Sequence, residues 1–410
     1  MSEDASGRRR RRRRPAVITV LAVSVAVGVT GARALTEPLP APAVARTVPL
    51  TVTVPGRPLR LAWPANGEAA LVTTTGLSMG SSGPTAAVPI ASLTKVMTAY
   101  VILTDHPLGP GQTGPSLTIT SAEAAQLPLQ SREGQSVLAV HTGERLSEHQ
   151  ALQALLIPSA NNIAAALARF DAGTSAAFTA KMNAAALRLG MVHTHYAGPS
   201  GYSPASISTA ADQLLLARAA LGVPALAAIV AEPAVTLPGA GTVANYNTLA
   251  GHHGYQGIKT GSTAAAGGCL LYAVTRTVAG TPITLLGAVL GQRHGPYIAA
   301  AIDSARALTD AAFEALRPRT VLPAGTPIFD IRQAGQHSIA VTGTALTTID
   351  PPGTPATLTL TIPPLPANLA RDQRIATITL HAAGTTTTSA VSLAAPVPAP
   401  SLSWRLSHLL

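Results

Sequence analysis

Three short groups of residues in this chain have the types and spacing for nucleophilic chemistry at a serine. The first is Ser92-Leu93-Thr94-Lys95. On a helix, residues three apart share a face, so the Lys95 amine can lie beside the Ser92 hydroxyl. A free serine is a poor nucleophile, but an amine held neutral by desolvation or by neighbouring cations can take its proton. A helix N-terminus also points its amides at charge developing beside Ser92. The second group is Ser159-Ala160-Asn161, just after Pro158. A tight loop there can aim both side chains into one cleft, the hydroxyl to relay a proton and the carboxamide to hold a substrate amide. The third is Lys259-Thr260-Gly261-Ser262. A lysine and hydroxyls on an edge strand suit a substrate carboxylate, and Gly261 leaves room for close approach of a substrate backbone.

The elements that must position these groups are legible from periodicity. Ser92 to Leu103 places Val96, Ala99, Tyr100 and Leu103 at helical spacing. Ser147 followed three residues later by Gln150 is a capping box, and the helix it opens carries Leu152, Leu155 and Leu156 until Pro158 ends it. Further helical patterns run over 162–170, 176–189 (closed by Gly190), 209–221 and 298–316. Gly268 to Val274 and Ile283 to Leu290 are apolar runs joined by a turn at Ala279-Gly280, which predicts adjacent antiparallel strands. Asn66-Gly67, between 61–64 and 69–74, reads as a hairpin turn. Helices in the middle with strands at both ends predict an α+β domain. Beyond it, 356–362 and 375–380 alternate strictly between Pro/Gly turns, which predicts a small all-β sandwich or barrel over 321–395.

Composition narrows the class. The 410 residues suffice for more than one domain, and 47% hydrophobic content excludes a wholly disordered chain. One cysteine excludes a disulfide scaffold and a Cys-cluster zinc site. Of the net charge of +10, half comes from the first fourteen residues, where Arg8 to Arg14 outweigh Glu3 and Asp4. The rest is dispersed, which is no nucleic-acid footprint. The arginine run is followed at once by the apolar stretch 16–32, the pattern of an export signal or a membrane anchor. Cleavage after Ala34 and retention are both open. Either way 1–14 is expected to stay cytoplasmic, 15–35 to enter the membrane, and the remainder to be exported. Residues 36–55, rich in Pro and Ala, read as an extended tether. The tail 396–410 holds Leu402, Leu406, Leu409 and Leu410 on one helical face.

The motifs stand in order, 67 residues from Ser92 to Ser159 and 100 from Ser159 to Lys259, each in a fitting context of helix start, inter-helix turn and strand. At this point the chain resembles the serine penicillin-recognising enzymes. More closely, it is similar to the D-alanyl-D-alanine carboxypeptidases of peptidase family S11, the low-molecular-mass penicillin-binding proteins. Residues 91–100 and 155–162 are close to that family's first two motifs. Met182-Asn183, Leu189-Gly-Met191, Thr194-His195 and Ser208-Thr-Ala210 extend the likeness, which covers about 60–318.

The resemblance implies a transpeptidase/beta-lactamase-like domain over 56–320, an antiparallel sheet between helices, followed by the small β domain. It implies that Ser92 attacks the carbonyl between the terminal D-alanines of a peptidoglycan stem peptide. Lys95 would be the general base, Ser159 a proton relay, Asn161 the substrate-orienting amide, and Lys259 and Thr260 the carboxylate site. Backbone amides of Ser92 and Ser262 would form the oxyanion hole. Beta-lactams would acylate Ser92. No cofactor or metal is expected, nor a nucleic-acid partner. Several members use an arginine after the following strand, and the only one nearby here, Arg293, is left outside the expected site.

Other residues read more plainly. His193 and His195 are expected to be structural, His252 and His253 to sit on a solvated loop, and Cys269 to be a buried inert thiol. Gly251 to Thr260 fails as a P-loop because Ile258 separates Gly257 from Lys259. Two alternatives stand beside the peptidase. A class A-like beta-lactamase needs a glutamate to activate water, and between Asn161 and Lys259 the only acids are Asp171, Asp212 and Glu232. A non-catalytic sensor or scaffold would keep the penicillin-binding site without turnover.

Overall fold

A sheet buried on both faces needs apolar side chains on every position of its central strands, and 267–292 supplies them. In the computed structural model, which describes residues 13–366 and 368–408, Gly267–Val278 and Thr281–Gln292 are the long central strands of a five-stranded antiparallel sheet. Its order is Tyr255–Thr263, Gly267–Val278, Thr281–Gln292, Glu68–Thr73, Ser78–Ser82. Leu271, Ala273, Leu286, Ala288 and Leu290 face one way, against a helical layer. Leu270, Tyr272, Val274, Leu285 and Val289 face the other, against the helix Tyr297–Ala315. This unit spans Pro58–Arg317.

The helical layer contains Thr94–Asp105, Glu148–Leu156, Asn161–Ala172, Ser175–Arg188 and Ala210–Leu221. The Ser147 capping box is formed: the Gln150 amide donates to Ser147 Oγ at 3.2 Å, and Gln150 Oε1 accepts from the Ser147 amide at 3.0 Å. Leu152, Leu155 and Leu156 are fully buried, each contributing roughly 1.5–3 kcal/mol by removal from water. One helix, Ser121–Arg132, has no apolar stripe and buries no residue. It is held instead by a Thr120/Glu123 capping box and by the Glu123–Arg169 ion pair at 2.8 Å.

Two expectations need correction. Asn66-Gly67 is not a hairpin turn. The strand Glu68–Thr73 pairs with 78–82 and 281–292. Leu61 and Trp63 pack on the sheet's second core instead of pairing, and the Asn66 carbonyl accepts from Gln292 Nε2 at 2.7 Å. Nor is all of 36–55 an extended tether. Ala43–Arg46 pairs with Pro327–Gln333, and Thr51–Thr53 pairs with Pro355–Thr361. The prolines lie between or beside these short strands, where a missing N–H does no harm, and Val44, Val48 and Val52 pack on the β core.

These two strands are the opposite edges of a seven-stranded antiparallel sheet in the second unit, formed by residues up to Arg57 with Pro318–Leu410. The order is 43–46, 327–333, 336–342, 386–393, 374–381, 355–361, 51–53. Five residues from Arg46 to Thr51 reach at most about 18 Å. Seven flat strands would separate the edges by about 29 Å. The sheet must therefore curl toward closure, around Ile331, Leu358, Ile375, Ile378, Leu380 and Val391.

At the N-terminus, Arg13–Thr36 is helical and exposes Leu21, Val23, Val25, Val27 and Val29. Among the described residues, no single helix is long and apolar enough to cross a membrane. The arginines before Arg13, and Leu409 and Leu410 of the expected C-terminal face, lie outside the described residues. The tail is helical over Leu402–His408, with Leu402 and Leu406 exposed.

A chain beginning at Pro58 should lose both edge strands of the curled sheet. Amide exchange in 327–333 and 355–361 should then accelerate at least about tenfold. Unchanged exchange there would refute the pairing.

Candidate active site

The first motif does not begin with an α-helix. Ala91–Leu93 is a single 3-10 turn, and the α-helix starts at Thr94. Ala91 stands at φ 47°, a left-handed conformation that a non-glycine residue adopts only when its surroundings hold it there. Ser92, in this first turn, has an N–H with no intrahelical acceptor. Lys95 is fully buried one turn on.

The Lys95 amine meets three oxygens: Ser92 Oγ at 2.8 Å, Asn161 Oδ1 at 2.6 Å and the Ser200 carbonyl at 2.8 Å. Burial, reinforced by the nearby Lys259 charge, holds its pKa well below the ordinary lysine value. In the neutral amine, two hydrogens serve Asn161 and Ser200, and the lone pair is left for the Ser92 proton. This is the arrangement an activated serine requires.

The second motif follows the helix end at Leu156. Ser159 is also left-handed, at φ 64°, and its buried Oγ has no partner. Asn161 opens the next helix. No side chain caps that helix; the orphan Asn161 N–H donates to the Ser136 carbonyl at 2.7 Å. The third motif lies on the sheet's edge strand, Tyr255–Thr263. Lys259 Nζ and Thr260 Oγ1 are buried without a partner, and burial pushes Lys259 down to about 7. Ser262 is exposed at the strand's outer end. Gly261 draws this strand onto the Ser92 turn: a Cβ there would stand 2.8 Å from the Ser92 amide nitrogen and 3.0 Å from the Ile90 carbonyl.

Ser92, Lys95 and Asn161 are thus in direct contact, with Gly261 against the same turn and Lys259 near enough to depress Lys95. The sequence reading missed the segment Gly198 to Gly201. The Ser200 carbonyl completes the lysine's shell, and the Pro199 carbonyl accepts from Thr98 Oγ1 at 2.7 Å. Gly201, at φ 74°, sits where a Cβ would be 1.9 Å from the Ala91 carbonyl. The only signal was a Gly-Pro-Ser-Gly turn, which carries no chemistry of its own. Arg293 donates to the carbonyls of Ala264 and Ala265 in the turn after the motif strand. His252 and His253 are exposed, and Cys269 is buried with its thiol pushed up to about 11.

Residues 65–293, more than half of the chain, match the family model of D-alanyl-D-alanine carboxypeptidase, peptidase S11. The chain belongs to this family. It is 35% identical over 234 residues to a D-alanyl-D-alanine endopeptidase of Pseudomonas aeruginosa, covering 54% of this chain and 70% of that one. It is 32% identical to a D-alanyl-D-alanine carboxypeptidase of Streptomyces sp. K15, covering 46% and 70% respectively. Among solved structures, the Streptomyces K15 DD-transpeptidase superposes with a TM-score of 0.53 at 26% identity, over 64% of this chain and all of that one. Penicillin binding protein 5 from Haemophilus influenzae, at 20% identity and a TM-score of 0.58, shares the fold over 84% of this chain.

The buried cation opposes folding. An unfolded lysine takes its proton at about 10.5, the native Lys259 only at about 7. The penalty therefore grows as pH falls from 10.5 to 7 and is constant below. Lys259→Met should stabilise the protein at neutral pH by a few kcal/mol, roughly 1.4 kcal/mol per pH unit across that window, with no gain above pH 10.5. Thermal melting against pH checks this, and a gain independent of pH would refute it.

Proposed function

We propose that the chain is a serine D-alanyl-D-alanine carboxypeptidase, which removes the terminal D-alanine of peptidoglycan stem peptides through an acyl-enzyme on Ser92. The observation that carries this is the 2.8 Å contact between Ser92 Oγ and a buried amine whose other two contacts are fixed acceptors. Neutral Lys95 takes the Ser92 proton, and Oγ attacks the carbonyl of the penultimate D-alanine. The oxyanion is met by the orphan N–H of Ser92 and by the Ser262 N–H. The proton passes through Ser159 Oγ to the leaving D-alanine nitrogen. Asn161 orients the stem amide, while Lys259 and Thr260, buried and unpartnered, take the terminal carboxylate. Water then cleaves the ester with Lys95 again as base. A beta-lactam enters the same path as a substrate mimic.

The arginine run and the apolar N-terminal helix support export, with that helix as leader or membrane anchor and the enzyme on the extracytoplasmic side. None of the three acids a beta-lactamase could use as its base is a hydrogen-bond partner of Ser92, Lys95 or Asn161 among the described residues. Glu232 accepts from Gln153 at 2.9 Å, Asp171 is paired with Lys181 at 2.6 Å and His106 at 3.1 Å, and Asp212 accepts from the His193 amide and Thr194. A second reading has specific support: relatives at 35% and 34% identity are endopeptidases, so cross-linked stems belong in the same assay.

Intact mass after exposure to a fluorescent penicillin should show one adduct, absent in Ser92→Ala. D-Alanine release from a pentapeptide should fall at least about a thousandfold in that variant. Release as fast as wild type would end the assignment. A persistent adduct with no release from either substrate would make the chain a sensor. Because Lys259 must be charged to hold a carboxylate, kcat/KM should decline above about pH 7. The limb of kcat should lie higher, since the bound carboxylate restores the ammonium. Coincident limbs would remove Lys259 from that role.

A further inference from the structure

Asn161 is a link in a longer chain of contacts. Its Oδ1 accepts from Lys95, while its Nδ2 donates to Gln135 Oε1 at 2.7 Å. Gln135 Nε2 in turn donates to Glu133 Oε2 at 2.7 Å. Neither Glu133 nor Gln135 belongs to the three motifs. Both lie on the segment that follows the polar helix Ser121–Arg132.

We propose that Gln135, itself oriented by Glu133, is a positioning residue that sets which way the Asn161 carboxamide faces and so aims the Lys95 amine at Ser92. The inference rests on the acyl-serine reading above and deepens it.

A carboxamide has nearly the same shape either way round, so packing alone does not choose its orientation. Hydrogen-bond polarity does. An ionised carboxylate only accepts, so Glu133 makes the near group of Gln135 the donor. Gln135 Oε1 must then accept, and Asn161 must present Nδ2 to it. That leaves Asn161 Oδ1 for Lys95. Reversed, Asn161 would offer an N–H to the amine. An ammonium would meet a donor, and a neutral amine would accept that N–H with the lone pair that Ser92 needs. The second Nδ2 hydrogen of Asn161 stays free for substrate.

The surrounding backbone holds the segment in register. The Asn161 amide donates to the Ser136 carbonyl at 2.7 Å. Asn162 pairs with Leu138 at both ends, Nδ2 to the carbonyl at 2.8 Å and Oδ1 from the amide at 3.0 Å. Those bonds seat the loop and would survive a change at Gln135. Only the Gln135 side chain touches a group that reaches Lys95.

The test is the second-order rate of acylation by a fluorescent penicillin, measured against pH on the full chain and on Gln135→Leu and Gln135→Glu, with melting temperatures as a fold control. Leucine cannot accept, so the plateau should fall about tenfold. Its acid limb should move to lower pH, because the ammonium loses an acceptor. Glutamate still accepts from Asn161, so when it is combined with Glu133→Gln, which gives it a donor to face and not a second carboxylate, its plateau should fall at most about threefold. Its limb should move to higher pH, because a negative charge brought closer to the amine favours the ammonium. Lys259, the other charged group facing Lys95, is unchanged in both. In an Asn161→Ala background, Gln135→Leu should have little further effect.

Wild-type plateau and limb in Gln135→Leu would overturn the inference. So would equal losses in both variants with unmoved limbs, or a full loss in the Asn161→Ala background. A wild-type chain that forms no adduct overturns the acyl-serine reading and this inference with it. An acylated wild type with unaffected variants overturns this inference alone.

Discussion

A lysine shut away from water with three fixed oxygens around its amine is the constraint on which the catalytic unit depends. Desolvation would ordinarily favour removing such a group from a core. Here the amine is kept because every neighbour has a use for it. Ser92 is the acceptor that becomes a donor when the amine is neutral, while Asn161 and Ser200 hold the remaining hydrogens. Three elements distant in the chain must therefore converge within a hydrogen bond of one atom. The helical layer supplies Lys95 and Asn161, and the 198–201 turn supplies a bare carbonyl.

The sheet contributes differently. Its edge strand has one side unpaired by any strand, and that side meets the Ser92 turn. Gly261 permits the approach, and Lys259 two residues earlier brings a second buried amine near the first. Ala91 and Ser159 are strained at the two turns that carry the serines. Strain of about 1–3 kcal/mol per residue persists where the surroundings over-determine the backbone. The Ala91 carbonyl wedged against Gly201 is such a surrounding.

Much of this was readable beforehand. Helices with apolar stripes declared themselves, as did the capping box at Ser147 and the paired strands around Ala279-Gly280. The three motifs pointed to one another because each combines side-chain chemistry with a suitable local structure. What escaped had no such signature. Ser200 acts through its carbonyl and Gly201 through the absence of a side chain. The helix Ser121–Arg132 buries nothing, so its sequence has no period to read. Glu148, in the first turn of its helix, drew no reading from the sequence, yet it is fully buried with both oxygens unpartnered and its carboxyl pushed up to about 7 by burial. The strands at 43–46 and 51–53 are three or four residues long, and their partners lie nearly 300 residues away, beyond any local pattern.

Stitching those short strands into the curled sheet changes the mechanics of attachment. Between the end of the N-terminal helix at Thr36 and the first strand at Ala43, only six residues stay unpaired. The seven Cα steps from Thr36 to Ala43 reach at most about 25 Å, where twenty free residues would reach about 70 Å. If that helix is held in a membrane, the curled sheet is leashed close to the bilayer. A pull on that helix would straighten only those six residues before it loads the cross-strand hydrogen bonds of 43–46. The curled sheet is in that sense the part of the fold that would carry any load placed on that helix.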